Sequence, residues 1–424
     1  MTRPSQFISK AWLCVALLWF VACLNYLDRV MLTTMRKSLT EAIPMTDAQF
    51  GLLTSVFLLV YGILSPFAGF LADRFSRRLI IIGSLFVWSA VTWLTGHARN
   101  FEQLLVARAL MGISEAFYIP AALALIVDYH RGSTRSLATG IHISGFMVGS
   151  GLGGLGGWLA ERHGWSYAFN LFGVVGVVYS LLLMVSLQEA PREENPDAAA
   201  KPLDKASFFP ALKSLFSRGS FFLALIFWGL LGVVGWGVIG WMPTHFAERF
   251  DLSQGVSGFS ATGYLQAAAM VGVILGGALA DRWSRKTERG RIYVVIVGLG
   301  LAAPGILLAA NTHLLAFAIG GLILYGLTRS FADSNMMPIL CMVADPRYRA
   351  TGYGVLNFFA CLVGGATIYA GGALRDANVD VNKIFQFSAA SLIVCAVILF
   401  FVRPRFKPNP ANRVVPDNQN NVVQ

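Results

Sequence analysis

The chain has 424 residues, of which 56% are hydrophobic and only 13% are charged, and its mean hydropathy is +0.62. A soluble domain of this length could not bury so much apolar surface, so the composition excludes the soluble classes and indicates a polytopic membrane protein. The net charge of +11 would suit a nucleic-acid-binding protein. The basic residues instead follow the membrane topology, and we expect no nucleic-acid partner.

Twelve apolar segments are long enough to cross a bilayer as helices. They lie at 11–32, 47–70, 79–96, 102–127, 136–160, 165–187, 220–242, 256–280, 292–310, 314–340, 350–373 and 384–402. With a cytoplasmic amino terminus, the cytoplasmic segments hold 23 Lys and Arg, against 7 outside and 3 within spans. This positive-inside signal predicts that both termini are cytoplasmic. The segment lengths exclude a transmembrane β-barrel and predict an all-α protein.

The chain divides into a cytoplasmic lead, a six-helix bundle, a linker, a second six-helix bundle and a tail. These regions are 1–10, 11–187, 188–219, 220–402 and 403–424. The first span is too long for a signal-peptide core and lacks a cleavage site, so we expect it to be retained. We expect a surface helix in the linker and disorder in the tail. The five cysteines lie in apolar segments without metal or disulfide spacing, so we expect no metal and no cofactor.

Charges interrupt the first and fourth spans. Asp28 and Arg29 are neighbours near the outer end of span 1, and because helical neighbours point about 100° apart, they need partners on other helices. In span 4, Arg108 and Glu115 share one helix face, and Glu115 lies roughly 20 Å into a hydrocarbon layer of about 30 Å. Charges at this depth should face protein or water rather than lipid. An Asp28–Arg108 pair is possible, and so is an Arg29 side chain that extends to the outer headgroups.

The two halves carry related sequences. Residues 69–78 and 277–286 are identical at seven of ten positions, at an offset of 208 residues. Span 4 has Glu115 five residues before Pro120, and span 10 has Asp333 five residues before Pro338. The chain is therefore an internal duplication in which each half places a carboxylate before a proline-weakened stretch of helix.

Two further features allow either a structural or a functional interpretation. Arg329 and Asp333 are four residues apart in span 10 and could form a packing ion pair or take part in transport. Span 5 is rich in glycine, which allows close helix packing and could also allow the helices to slide. The span 5 glycines are Gly145, Gly149, Gly151, Gly153, Gly154, Gly156 and Gly157.

Twelve spans, the duplication and the Gly-x-Leu-Ala-Asp-Arg-x-x-Arg-Arg loop resemble the major facilitator superfamily, although Ser76 and Ser284 stand where glycine is usual. The resemblance implies two bundles that rock around a central site and a protein that is a transporter rather than an enzyme. It implies a monomer, and we expect it in a bacterial inner membrane. It also implies that the loop charges latch the bundles together. These gating candidates are Asp73, Arg74, Arg77, Arg78, Asp281 and Arg282.

Within that superfamily, residues 25–29 together with Arg108 and the segment 112–116 resemble two groups, the organic-anion:proton symporters and the Spinster-like lipid transporters. The segment 241–244 resembles the symporters more closely. The glycine pattern of span 5 resembles the antiporter signature of drug exporters, but Ser150 replaces its proline. By analogy, Asp28, Glu115 and Asp333 are proton-coupling candidates. The substrate-binding candidates are Asn25, Tyr26, Arg29, Arg108, Tyr118, His142, Gln266, Arg329, Asn335 and Asn357, with Trp236 as a further lining residue.

Each of these polar and aromatic side chains could equally serve in packing or in hydrogen bonds between helices. The three acids and three bases inside spans sum to zero charge when ionised. Protonation of Glu115 would leave one positive charge that a carboxylate substrate could neutralise, so proton and anion would cross together. We therefore expect symport of a proton with a small organic anion such as a sugar acid. The alternative is a proton-coupled exporter of a hydrophobic compound or a Spinster-like lysolipid transporter.

Overall fold

The computed structural model describes residues 4–130, 134–190, 208–345 and 348–402, which form sixteen α-helices. In chain order, α1 to α16 are Pro4–Thr34, Arg36–Ala42, Asp47–Arg74, Arg77–Thr95, Phe101–Glu115, Tyr118–Tyr129, Arg135–Gly151, Gly154–His163, Trp165–Ser186, Phe208–Phe216, Gly219–Arg249, Gln254–Ser284, Gly290–Asn311, Leu315–Val343, Arg349–Asp376 and Asn382–Phe401. We call α1–α9 the N-half and α10–α16 the C-half. Residues 1–3 of the predicted lead, most of the linker (191–207) and the tail lie outside the described residues, and α1 begins within the lead at Pro4.

Eleven helical stretches of the described ranges are long and apolar enough to cross a membrane. The predicted fifth span is also helical, but it is divided into α7 and α8 at Leu152 and Gly153. The fourth span is interrupted directly after Glu115, because Pro120 cannot donate the helical hydrogen bond to the carbonyl of Ala116. The related helix α14 continues through Pro338, so only the N-half has a break next to its carboxylate.

The two halves meet along two helix pairs, α3 with α15 and α7–α8 with α12. In the middle of the first pair, Ser55 Oγ donates a 2.6 Å hydrogen bond to the carbonyl of Gly365. In the second pair, contact is closest at the end of the bundle opposite the two signature loops. There a methyl group added to Gly157 would lie 2.6 Å from the carbonyl oxygen of Gln254, and one added to Gly154 would lie 2.5 Å from Phe259 N.

The packing between α7 and α12 loosens toward the end that carries the signature loops, which we call the signature end. A methyl group added to Gly263 would find its nearest atom at 3.8 Å, and one added to Gly140 would meet nothing within 4 Å. On the same stretch of α12, Val271 is 51% exposed and Ile274 is 72% exposed. The contact between α7 and α12 is therefore tight at the opposite end and looser toward the signature end.

The span 5 glycines contact two different partners. Gly145, Gly149 and Gly156 pack on the backbone of α1 in their own half, whereas Gly154 and Gly157 face α12 of the other half. Close packing within the N-half therefore requires glycine independently of any movement between the halves.

We expect Gly149→Ala to destabilise the protein severely, because the added methyl group would lie 2.0 Å from the carbonyl oxygen of Cys23. Overpacking of this kind costs about 1–3 kcal/mol or more. Thermal unfolding in detergent micelles measures the effect. Gly140→Ala, on the same helix but in open space, is the matched control and should leave the midpoint unchanged; equal midpoints for the two variants would contradict the assigned packing.

Candidate functional site

The charged residues of spans 1 and 4 lie together inside the N-half. Arg29 Nε donates a 2.7 Å hydrogen bond to Glu115 Oε2 as part of an ion pair, and Asn25 Nδ2 donates to the same oxygen at 2.9 Å. Arg29 is only 3% exposed. The alternative that Arg29 extends to the headgroups is therefore wrong, because its charge is neutralised within the protein by Glu115.

Asp28 and Arg108 do not complete a second ion pair. Asp28 is 2% exposed, receives one long contact of 3.5 Å from Thr92 Oγ1, and its Oδ1 has no hydrogen-bond partner among the described residues. Arg108 is 1% exposed and donates from Nε to the carbonyl of Leu53 at 3.3 Å. The possible Asp28–Arg108 pair is thus absent, because Asp28 faces Thr92 of α4 while Arg108 faces α3. The cluster therefore contains one ion pair, Arg29–Glu115, and two charged groups, Asp28 and Arg108, that have no ion-pair partner among the described residues.

The C-half contributes the pair predicted within span 10. Arg329 Nη1 donates to Asp333 Oδ2 at 2.7 Å, and the two side chains are 23% and 28% exposed. Tyr26 of α1 belongs to the N-half cluster, since its ring centroid lies 4.9 Å from Arg29 Cζ. No contact of Tyr26 with this ion pair is found in the described residues.

The remaining candidates have different surroundings. Tyr118 donates to the carbonyl of Leu18 at 2.8 Å and contacts His142 Nε2 at 2.9 Å, inside the N-half. Asn335 donates to the carbonyls of Phe331 and Gly276 inside the C-half. These contacts favour the packing interpretation for Tyr118, His142 and Asn335.

Three candidates lie between the halves or on helices that meet there. Gln266 Nε2 donates to Ser150 Oγ at 2.9 Å, which joins α12 to α7. Trp236 packs against Gly364 of α15, and Asn357 is partly exposed on that helix. Of the three, only Gln266 forms a hydrogen bond between the halves in the described residues.

Three of the signature-loop charges, Arg77, Arg78 and Asp281, bind within their own halves. Arg77 pairs with Asp128 and donates to the carbonyl of Ala124 at 3.4 Å, and Arg78 donates to the carbonyl of Met184. In the C-half, Asp281 pairs with Arg291. Arg74 ends α3, Arg282 is exposed on α12, and the side chain of Asp73 lies outside the described residues. In the described residues, Arg77, Arg78 and Asp281 therefore form no latch between the halves.

A charged network instead joins the halves at the opposite end. Arg375 Nε donates to Asp47 Oδ2 at 2.9 Å, and its two terminal nitrogens donate to the Glu248 carboxylate at 2.9 and 2.7 Å. Arg36 Nε donates to Asp47 Oδ1 at 2.8 Å, and Arg36 Nη1 lies 3.7 Å from Glu248 Oε1. Arg36 and Asp47 belong to the N-half, and Glu248 and Arg375 to the C-half. These four residues and Asp376 form what we call the outer latch.

Asp376 caps the first turn of α3 from the other half. Its two carboxylate oxygens accept from the backbone N–H groups of Asp47 at 2.8 Å and Ala48 at 2.9 Å. Thr46 Oγ1 accepts from Gln49 N at 3.2 Å, so the first three N–H groups of α3 are satisfied. One of the partners of this helix end therefore exists only while the halves are closed here.

The family model for the Major Facilitator Superfamily matches residues 18–369. The chain belongs to the Major Facilitator Superfamily. One curated relative is a protein spinster homolog 3 from Danio rerio, which is 28% identical and covers 93% of this chain and 84% of the relative. Another is a sphingosine-1-phosphate transporter from Xenopus tropicalis, which is 27% identical and covers 81% of this chain and 69% of the relative. An MFS-type efflux pump from Mycolicibacterium smegmatis is 26% identical over 92% and 90%.

A crystal structure of a bacterial homologue of the human lysosomal transporter Spinster has the same fold. It aligns with a TM-score of 0.74 and 23% identity over 95% of this chain and 96% of the other. That structure is inward-facing and unoccupied. The chain is thus an integral membrane transporter of two six-helix halves, with Spinster-like features, and it is not an enzyme.

Proposed function

We propose that this transporter couples protons to the movement of an amphipathic organic anion, one that carries a phosphate or carboxylate headgroup on an apolar tail. The supporting observation is the N-half cluster. Arg29 and Glu115 neutralise each other there, while Asp28 and Arg108 form no ion pair in the described residues. An unpaired ionised carboxylate is costly in a buried site, so Asp28 is the group best suited to carry a proton. This assignment moves the proton from Glu115, where charge counting had placed it, to Asp28.

With Asp28 protonated, the cluster keeps two guanidinium groups and one carboxylate. The excess positive charge is that of Arg108, which is suited to an incoming anion once the site opens. Proton and anion then load together without adding net charge to the membrane interior. The coupling ion in this scheme is the proton, and no cofactor or metal takes part.

The loose packing between α7 and α12 supports an amphipathic ligand over a sugar acid. We infer a gap between α7 and α12 at membrane depth from their loose packing and from the exposed side chains of Ile143, Val271 and Ile274. An apolar tail can enter from the bilayer through such a gap, whereas a hexonate gains nothing there. The names of the relatives agree with this choice, since one is a sphingosine-1-phosphate transporter. We place the signature end in the cytoplasm, as the positive-inside pattern predicts.

A binding panel separates the two ligand classes. Purified protein is unfolded by heat in the presence of sphingosine-1-phosphate, a lysophospholipid, a hexonate, a hexuronate or a neutral sugar. A ligand at 100 times its Kd stabilises the folded state by about 2.7 kcal/mol. We expect sphingosine-1-phosphate or the lysophospholipid to stabilise the wild type and to lose this effect in Arg108→Met. Stabilisation by the hexonate alone would contradict the proposal and restore sugar-acid symport.

A further inference from the structure

Phe57 lies between the two buried guanidinium groups of the N-half. Its ring centroid is 5.0 Å from Arg29 Cζ and 4.7 Å from Arg108 Cζ, and the ring is fully buried. Both distances are within the range in which the ring quadrupole attracts a cation. Tyr61, one turn further along α3, stacks beside Phe57 and lies 4.5 Å from Arg29 Cζ.

The guanidinium of Arg108 is held mainly by contacts with α3, whereas that of Arg29 is held mainly by Glu115. Arg29 has the Glu115 carboxylate at 2.7 Å, whereas the hydrogen bonds of Arg108 go to the carbonyl of Leu53 at 3.3 Å and to Met111 Sδ at 3.4 Å. Arg108 Nη2 has no partner in the described part of the chain. Leu53 and Phe57 are one helical turn apart, so a carbonyl and a ring of α3 together hold the guanidinium.

The group that competes for Arg108 is Asp28. Asp28 is adjacent to Arg29 on α1, and Arg108 shares the Phe57 ring with Arg29, yet Asp28 and Arg108 form no ion pair in the described structure. A buried guanidinium with no carboxylate contact would normally move to the nearest free carboxylate, since an uncompensated buried charge is costly. The other titratable or charged groups around Arg29, Arg108 and Asp28 are Tyr26, Tyr61, Glu115, Cys23 and Cys361.

We propose that Phe57 is a positioning residue that keeps Arg108 away from Asp28 and thereby free to receive the substrate anion. This inference rests on the proposed function, because it assigns Arg108 to the anion and Asp28 to the proton. When Asp28 loses its proton, Arg108 leaves the ring and pairs with it. Because α3 also carries Asp47 of the outer latch, this movement acts on the helix that joins the halves.

The test uses four proteins in proteoliposomes: wild type, Phe57→Leu, Asp28→Asn and the double variant. The measured quantity is the exchange of labelled sphingosine-1-phosphate. Leucine keeps the site apolar but removes the ring, so Arg108 should pair with Asp28, and exchange should fall about tenfold. In the double variant no carboxylate competes, so exchange should return to the level of Asp28→Asn alone. Phe50→Leu is the matched control, since Phe50 is buried on the same helix but faces Trp241.

A double-mutant cycle in thermal unfolding gives a readout without ligand. If Arg108 moves to Asp28 in Phe57→Leu, then Asp28→Asn destabilises that variant far more than it destabilises the wild type. Additive effects in the cycle, or exchange in the double variant as slow as in Phe57→Leu, would overturn the role of Phe57. Absence of exchange in the wild type would instead overturn the proposed substrate class, and the unfolding cycle would still decide the position of Arg108.

Discussion

Asp28→Asn should abolish proton-driven accumulation of the ligand while it leaves exchange and thermal stability nearly unchanged. The amide resembles the protonated acid in shape and cannot ionise, and Asp28 has no ion-pair partner to lose within the described residues. Glu115→Gln should differ, because it removes the carboxylate that neutralises Arg29 at 2.7 Å. Breaking a buried ion pair costs about 3–5 kcal/mol, so this variant should unfold at a much lower temperature.

Two measurements on each variant distinguish the groups. Uptake of labelled ligand into proteoliposomes with an imposed pH gradient reports accumulation, and uptake into liposomes preloaded with unlabelled ligand reports exchange. We expect Asp28→Asn to lose accumulation along the pH gradient and to keep exchange. Glu102→Gln is the control for removing a carboxylate elsewhere, since Glu102 is exposed in the first turn of α5. If Asp28→Asn still accumulates ligand along the gradient, Asp28 does not carry the proton.

Arg375→Gln should shift the protein toward the state that is open at the outer latch. The change removes the contacts of the guanidinium with Asp47 across the halves and with Glu248. Since Glu248 is 48% exposed, solvent screening limits the effect to about 1–2 kcal/mol, which corresponds to a five- to thirtyfold change in the ratio of the two states. Asp376→Asn should act in the same direction by weakening the cap of α3.

Distances across the latch provide the readout. Spin labels at Glu41 and Ala377, both exposed, are measured by double electron–electron resonance in a background without the native cysteines. Arg249→Gln is the matched control, because Arg249 lies beside Glu248 but contacts only Asn311, Thr312 and His313 of its own half among the described residues. A longer distance in Arg375→Gln and not in Arg249→Gln is expected. Identical distributions in all three proteins would show that the outer latch does not hold this end closed.

The spans and the duplication could be predicted from sequence because hydropathy and repeated motifs depend on local residue order. The break after Glu115 was also predictable from Pro120, but the related Pro338 leaves α14 continuous. A proline weakens a helix without determining whether packing holds the helix together. The division of span 5 at Leu152 and Gly153 was not predicted, since the glycines there also serve contacts on two sides.

The partners of the buried charges could not be predicted, because depth along a span does not determine the direction in which a side chain points. Asp28 and Arg108 have similar depths, yet Arg29 takes the ion pair with Glu115. The outer latch was missed because Asp47, Glu248 and Arg375 look like ordinary charges at span ends. The adjacent opposite charges at Arg375 and Asp376 were the only signal. The role of Phe57 could not be predicted, because a phenylalanine is common in an apolar span and only the structure shows that it lies between two arginines.

Proton movement on addition of ligand tests the central claim most directly. Liposomes that contain the protein and a pH-sensitive dye receive sphingosine-1-phosphate outside, and the internal pH is followed for the wild type, Asp28→Asn and protein-free liposomes. Proton-coupled transport predicts saturable internal acidification in the wild type alone. Uptake of the ligand by the wild type without acidification beyond that of the Asp28→Asn liposomes would contradict proton coupling through Asp28.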